Sequence, residues 1–235
     1  MLSSAHKEPM TQDEAKALVA KRAVEFVEDG MRVGLGTGST ATMFIRALGA
    51  HFKQTGIKIR CVASSDASAK LGKELGLEVL TLTELPELDL YIDGADEVDP
   101  QLNLIKGGGG AMLREKIVAS SSKRFIVVVD HTKVVPILGK FPLPLEVIKM
   151  ALPLVLSGLN KLGLNPKQRK RPDGSVYLTD ENNFVVDCYC NHITDPAKTA
   201  ADVRNLVGVV EHGLFLGMTN LVLVAGDNGV TELTR

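Results

Sequence analysis

Leu88–Asp130 reads LDLYIDGADEVDPQLNLIKGGGGAMLREKIVASSSKRFIVVVD. Two short apolar, β-prone runs bound it, LDLYI at 88–92 and FIVVVD at 125–130, and each leads into an aspartate, Asp93 or Asp130. Between them, Ala111–Lys123 is rich in helix formers, with Met112, Leu113, Ile117 and Val118 near helical spacing. Strand, loop, helix, strand predicts parallel neighbours in a sheet covered on both faces. Ligands of such sheets bind beyond the carboxyl ends of the strands, and Asp93 falls there.

The loop itself is chemically dense. Asp93–Glu115 holds Asp93, Asp96, Glu97, Asp99, Lys106, the glycines Gly107–Gly110 and Glu115 within 23 residues. Four glycines in a row are a poor choice for a core, because they lose much backbone entropy and pack no side chain. They suit a loop whose N–H groups approach a ligand. They also precede a predicted helix, whose free N–H groups and dipole favour an anion or oxyanion. Acids on either side point to acid–base chemistry on a polar small molecule.

Working outward, the same alternation continues. Thr11 and Glu14 form a capping-box pattern ahead of a predicted helix that Gly30 stops. Met31–Leu35 reads as a strand, Gly36–Thr40 as a loop, and a helix runs to about Ala47. Lys58–Ala63 and Leu77–Leu82 read as strands around a helix over 67–75. Near Lys140–Pro144 the prolines mark a domain crossing. Beyond it, Val147–Leu162 reads as mostly helical, Lys167–Arg171, Val176–Cys190 and Val207–Phe215 as strand-like, and Pro196–Leu206 as a helix. Asn220–Ala225 is a strand that returns to the first unit, followed by a turn at 226–229. The expected fold is α/β: a Rossmann-like parallel-sheet domain (1–140 and 214–235) with a second, smaller α+β domain of ferredoxin-like type (141–213) expected in an oligomer interface. Met1–Met10 reads as a loose leader.

Composition excludes several classes. The 235 residues carry a net charge of −1 and 4% aromatics, with no Trp. Neither a global field for nucleic acid or membranes nor a base-stacking platform is indicated. No apolar stretch approaches a membrane span. Cys61, Cys188 and Cys190 are odd in number and form no CxxC, which speaks against a disulfide framework or a zinc site and for a reduced, cytoplasmic protein.

Two further loops carry signals. Gly34–Thr40, GLGTGST, follows a strand and opens a helix, so its backbone and hydroxyls suit a phosphate monoester. It lacks the GK[ST] of a nucleotide-binding P-loop and the third glycine of a dinucleotide fingerprint; a plain strand-to-helix turn is the alternative. Ser64–Ser68, SSDAS, reads equally well as a helix cap. The Asp93/Asp96 pair could hold a divalent cation, but no histidine cluster accompanies it and Lys106 competes. The basic run Lys167–Arg171 reads as a solvated hairpin edge.

Together, GLGTGST, SSDAS, YIDGADEVD, KGGGGA…REK and GKFPLPLEV, in this order and spacing, resemble ribose-5-phosphate isomerase of the type A family, from Thr11 to the last residue. The resemblance implies interconversion of D-ribose 5-phosphate and D-ribulose 5-phosphate in the pentose phosphate pathway, without metal or cofactor, by a dimer or tetramer. It matches Glu115 to the catalytic base. It matches Asp93 and Asp96, flanking Gly94 and Ala95, to residues that hold sugar hydroxyls and assist ring opening. Lys106 with Gly107, Gly108 and Gly109 matches the loop at the reacting end. Thr37, Gly38, Ser39 and Thr40 match the substrate loop, Lys133 a substrate-binding lysine, and Lys16 a lysine for the phosphate. Chemistry agrees: one carboxylate can shuttle the proton between C2 and C1 of an enediolate, as a glutamate does in triosephosphate isomerase. A sugar-phosphate sensor, an amino-sugar phosphate deaminase and a CoA transferase are the competing readings of such a fold.

Overall fold

The computed structural model describes residues 10–235; the leader before Met10 lies outside the described residues. A seven-stranded sheet comprises β1 (Arg32–Leu35), β2 (Arg60–Ala63), β3 (Glu78–Leu80), β4 (Leu90–Asp93), β7 (Phe125–Asp130), β13 (Leu221–Gly226) and β14 (Gly229–Leu233), in the order β14-β13-β7-β4-β1-β2-β3. Every neighbouring pair is parallel except the hairpin β13–β14. The helices α1 (Gln12–Val24), α2 (Ser39–Thr55), α3 (Asp66–Glu74) and α4 (Met112–Ser120) belong to this unit.

Strand alternation divides the core in two. Leu90, Ile92, Ile126 and Val128 join Val19, Ala23, Phe44, Ile45 and Leu48 of α1 and α2 on one face. Tyr91, Phe125, Val127 and Val129 join Val118 and Ala119 of α4 on the other. Both central strands, β4 and β7, are therefore buried along their whole length. The chain steps β1, β2, β3 toward one edge, then places β4 on the opposite side of β1. That reversal opens a crevice at the carboxyl ends of β1 and β4.

The smaller domain runs β8 (Leu143–Val147), α5 (Leu152–Lys161), β9 (Pro166–Gln168), β10 (Phe184–Cys188), α6 (Pro196–Arg204) and β11 (Val209–His212). Its antiparallel sheet has the order β11-β8-β10-β9, so the chain traces a βαββαβ unit of ferredoxin-like form. A three-stranded sheet bridges the two units: β5 (Glu97–Val98), β6 (Leu104–Ile105) and β12 (Leu214–Phe215), in the order β12-β6-β5.

Several elements differ from their expected bounds. The first helix ends at Val24 rather than near Gly30, because i→i−3 bonds from Phe26 and Val27 tighten the chain into turns. The second runs on to Thr55, since Leu48 and Phe52 extend its apolar face. The crossing near Pro144 is a buried strand; its register with β11 stops at Leu145, one residue short of the proline. The expected strand 207–215 is two strands in two sheets, hinged at Gly213. A side chain at Gly213 would strike the Lys106 carbonyl, and the Gly213 oxygen accepts the Lys106 N–H at 2.8 Å. Cys188 is buried in the small core, while Cys190 lies beyond the strand. Among the described residues, no helix is long and apolar enough to cross a membrane.

Candidate active site

Asp93 closes β4 and sits at the bottom of the crevice, fully buried. Its Oδ1 accepts the N–H groups of Thr37 at 2.9 Å and Gly94 at 2.7 Å. Its Oδ2 accepts from Lys106 Nζ at 2.8 Å and from the Tyr91 hydroxyl. Both oxygens are thus engaged, and the carboxylate lies beneath the cleft rather than along its wall. Gly36 must be glycine, because a Cβ there would overlap the Asp93 carboxylate. Burial, then the neighbouring Asp93 and Glu115 carboxylates, push the Tyr91 phenol well above its ordinary range.

Lys106 follows β6 directly, so the bridging sheet aims it into the crevice. Its ammonium also donates to the Gly94 carbonyl at 2.6 Å and lies 3.5 Å from Glu115 Oε2. Burial alone would lower its pKa, but Asp93 and Glu115 outweigh that and hold it above the ordinary lysine value. Glu115 stands in the first turn of α4 and is 3% exposed. Its Oε2 is buried without a hydrogen-bond partner among the described residues. Burial is the main cause that pushes its pKa up to about 8; Lys106 pulls it down, and Asp93 and Asp96 push it further up. A buried carboxyl with an unsatisfied oxygen, beside a held ammonium, is poised to exchange a proton near neutrality.

The cleft above encloses about 140 Å³. Its walls include Thr37, Gly38, Ser39, Thr40, Gly94, Ala95, Asp96, Lys106, Gly107, Gly108, Gly109, Glu115, Lys133 and Lys16, so every expected site residue except Asp93 reaches it. Asp96 Oδ2 accepts the Gly108 N–H at 2.8 Å, and burial raises its pKa above the ordinary value. On another wall, Gly38 caps α2 and no side chain closes that helix's N-terminus. The Thr37–Thr40 backbone and hydroxyls there, with Lys16 from α1, suit a phosphate. Lys133 enters from the 3₁₀ turn after β7.

Other residues were read differently from sequence, or missed. Of the four clustered acids, Glu97 is buried and accepts the N–H groups of Gly139 at 2.7 Å and Phe141 at 2.6 Å. Asp99 shapes its own turn through the N–H groups of Gln101 and Asn103. Gln12 and Asp130 also line the cleft; the aspartate ending FIVVVD was the only local signal. Ser65 does cap α3, while Ser68 donates to the Gly36 carbonyl at 2.6 Å and Ser64 contacts the Thr37 hydroxyl at 2.8 Å, so SSDAS braces the Gly34–Thr40 loop. The basic hairpin is not uniformly solvated: Arg169 is 13% exposed and turns inward to the glycine loop. Among the described residues, no group of three or more His, Cys, Asp or Glu side chains is placed to hold a metal ion.

Most of the chain is similar to known proteins. Residues 60–229 match the family model of ribose 5-phosphate isomerase A (phosphoriboisomerase A). The ribose-5-phosphate isomerase A of Dinoroseobacter shibae is 48% identical over 94% of this chain and 87% of the relative. That of Levilactobacillus brevis is 48% identical over 94% of this chain and 96% of its own. Among solved structures, ribose 5-phosphate isomerase A from Methanocaldococcus jannaschii superposes with a TM-score of 0.92 at 38% identity, covering 96% of this chain and 100% of that one. A D-ribose-5-phosphate isomerase in complex with phospho-erythronic acid superposes with a TM-score of 0.93 at 37% identity, over the same shares.

Proposed function

Because the chain belongs to the ribose 5-phosphate isomerase A family, and its reaction is therefore the isomerisation of ribose 5-phosphate, we propose that Glu115 carries the proton between C2 and C1 through an enediolate. The observation that carries this reading is the buried Glu115 carboxyl, whose Oε2 lies 3.5 Å from Lys106 Nζ and has no hydrogen-bond partner among the described residues. In the aldose direction, Glu115 removes the C2 proton and the C1 carbonyl becomes an enediolate oxygen. Lys106 and the N–H groups of Gly107 and Gly109 stabilise the oxyanion, the Gly108 N–H being held by Asp96. The O2 hydroxyl proton passes to O1 as Glu115 returns its proton to C1, leaving the C1 hydroxyl and C2 ketone of ribulose 5-phosphate.

Asp96, on the cleft wall, handles the sugar hydroxyls and assists ring opening. Asp93 supports it from beneath, by fixing the Lys106 ammonium and the turn at Thr37. The phosphate rests on Thr37–Thr40 with Lys16, and Lys133 binds the sugar chain, so binding energy remote from the reacting carbons positions them. No metal enters this scheme, since the Lys106 ammonium supplies the positive charge beside the acids. The step belongs to the non-oxidative branch of the pentose phosphate pathway, and three free thiols support a cytoplasmic setting.

The test is ketose formation from D-ribose 5-phosphate in excess EDTA as a function of pH. Glu115 accepts a proton only when ionised, and its pKa in the free protein is raised to about 8. kcat/KM should therefore climb with pH and level off near or above that value. Activity that vanishes in EDTA, or a profile already level below pH ~6, contradicts the scheme.

We further assign 1–140 and 214–235 to the catalytic domain and 141–213 to a small domain that builds a homo-oligomer, dimer or tetramer. Met150, Leu154 and Val207 support this, at 88%, 61% and 78% exposed. Their segments adjoin, since Ile148 N–H donates to the Gly208 carbonyl at 2.9 Å. An exposed apolar cluster of this kind is costly unless a partner covers it. Leu154→Glu with Val207→Glu should shift the mass seen by light scattering toward the monomer; an unchanged mass would place the interface elsewhere.

A further inference from the structure

Three successive carbonyls of the glycine loop accept hydrogen bonds from the small domain's hairpin. Arg169 Nη1 donates to Gly107 O at 3.1 Å and to Gly108 O at 2.9 Å. The Tyr177 hydroxyl donates to Gly109 O at 2.7 Å. Arg169 is itself held: its Nε donates to Asp187 Oδ2 at 2.8 Å and its Nη2 to Asp187 Oδ1. The Tyr177 ring lies 5.6 Å from each of the Arg169 and Arg171 guanidinium carbons.

A planar trans peptide fixes its N–H opposite its carbonyl. Holding the carbonyls of Gly107 and Gly108 therefore holds the N–H groups of Gly108 and Gly109. The first of these donates to Asp96 Oδ2 at 2.8 Å, and both residues line the cleft. Without such a hold, a run of glycines would sample many backbone conformations. We propose that Arg169, locked by Asp187 and completed by Tyr177, is a positioning residue that keeps the N–H face of the glycine loop turned toward the reacting end of the sugar. The inference rests on the reading that this loop stabilises the oxyanion.

The geometry asks for more than positive charge. The guanidinium grips a carboxylate with two nitrogens while a third nitrogen bridges two carbonyls, which an ammonium cannot reproduce. The experiment is steady-state kinetics of the full-length protein on ribose 5-phosphate for Arg169→Met, Arg169→Lys and Tyr177→Phe. Melting temperature and affinity for phospho-erythronic acid are measured alongside. Both Arg169 variants should lose ~10–100-fold in kcat, with KM within about threefold because the phosphate end is untouched; Tyr177→Phe should lose less. Should Arg169→Met fold poorly, Asp187→Asn frees the guanidinium while keeping it, and should lower kcat in the same sense.

A folded Arg169→Met with wild-type kcat, a loss seen only in KM, or full activity in Arg169→Lys would overturn the proposal. Glu115→Gln, run in parallel, separates the two readings. An active Glu115→Gln removes the acid–base scheme whatever Arg169 does. An inactive Glu115→Gln beside a fully active Arg169→Met removes only the positioning role.

Discussion

Glu115→Gln should leave a folded protein that binds sugar phosphate and does not isomerise it. The amide keeps the shape of the carboxyl and cannot take up a proton, so kcat should fall by at least the ~10²–10⁴-fold that a general base supplies. KM should change little, because the residues assigned to the phosphate, Thr37–Thr40 and Lys16, are left intact. Stability supplies an independent check. The Glu115 pKa is raised in the folded protein, to about 8, above its ordinary value of 4.5. The folded state therefore holds the proton more tightly than the unfolded chain, and wild-type stability falls as pH rises between those two values. The neutral amide has no such penalty. The variant should match the wild type at the acid end of that window and melt higher at the alkaline end. Retained turnover would remove Glu115 from the chemistry. A melting-temperature difference that does not vary with pH would show that folding does not raise the Glu115 pKa.

What was legible in the sequence were features with a local signature. LDLYI and FIVVVD are largely apolar because their strands, Leu90–Asp93 and Phe125–Asp130, are buried along their length, and the acid that closes each strand marks the carboxyl edge where the cleft lies. The glycine run before α4 announced close backbone approach, and the hydroxyl-rich turn after β1 announced an anion site. What stayed hidden depends on contacts between distant residues. β5, β6 and β12 are two residues each, too short to show a period, yet they place Lys106. β8 was masked by Pro144, tolerated because β11 ends beside it. Glu97 and Asp96 lie one residue apart and alternate like any strand pair, so one pins a loop while the other faces the cleft; only the fold tells them apart. Arg169 looked like one charge in a basic run, and its partners, Asp187 and the adjacent Gly107 and Gly108, come from two other places in the chain. Asp93 looked like a cleft residue, but the four donors that saturate it converge only on folding.

Lys106→Met should be the most damaging single change after loss of Glu115, and it should act twice. The ammonium has three protons. One goes to Asp93 at 2.8 Å and one to the Gly94 carbonyl at 2.6 Å. The third is left for the side facing Glu115 and the cleft, where the enediolate oxygen would form. Its loss should lower kcat by ~10²–10³-fold, as removal of an oxyanion donor does. It also leaves the Asp93 carboxylate buried without its cation. Breaking such a pair costs about 3–5 kcal/mol, and the lower end is expected, since Thr37, Gly94 and Tyr91 still donate to Asp93. The two effects separate in the double variant Asp93→Asn, Lys106→Met. Neutralising the stranded carboxylate should recover much of the lost stability, a coupling that a cycle of the four proteins measures. It should recover none of the activity, because no proton donor returns to the enediolate. With the attraction of Lys106 gone, the Glu115 pKa should also rise further, moving the residual kcat/KM profile to higher pH. A double variant no more stable than Lys106→Met would show that the ion pair does not set the cost. Turnover within tenfold of wild type would show that the glycine N–H groups alone carry the oxyanion.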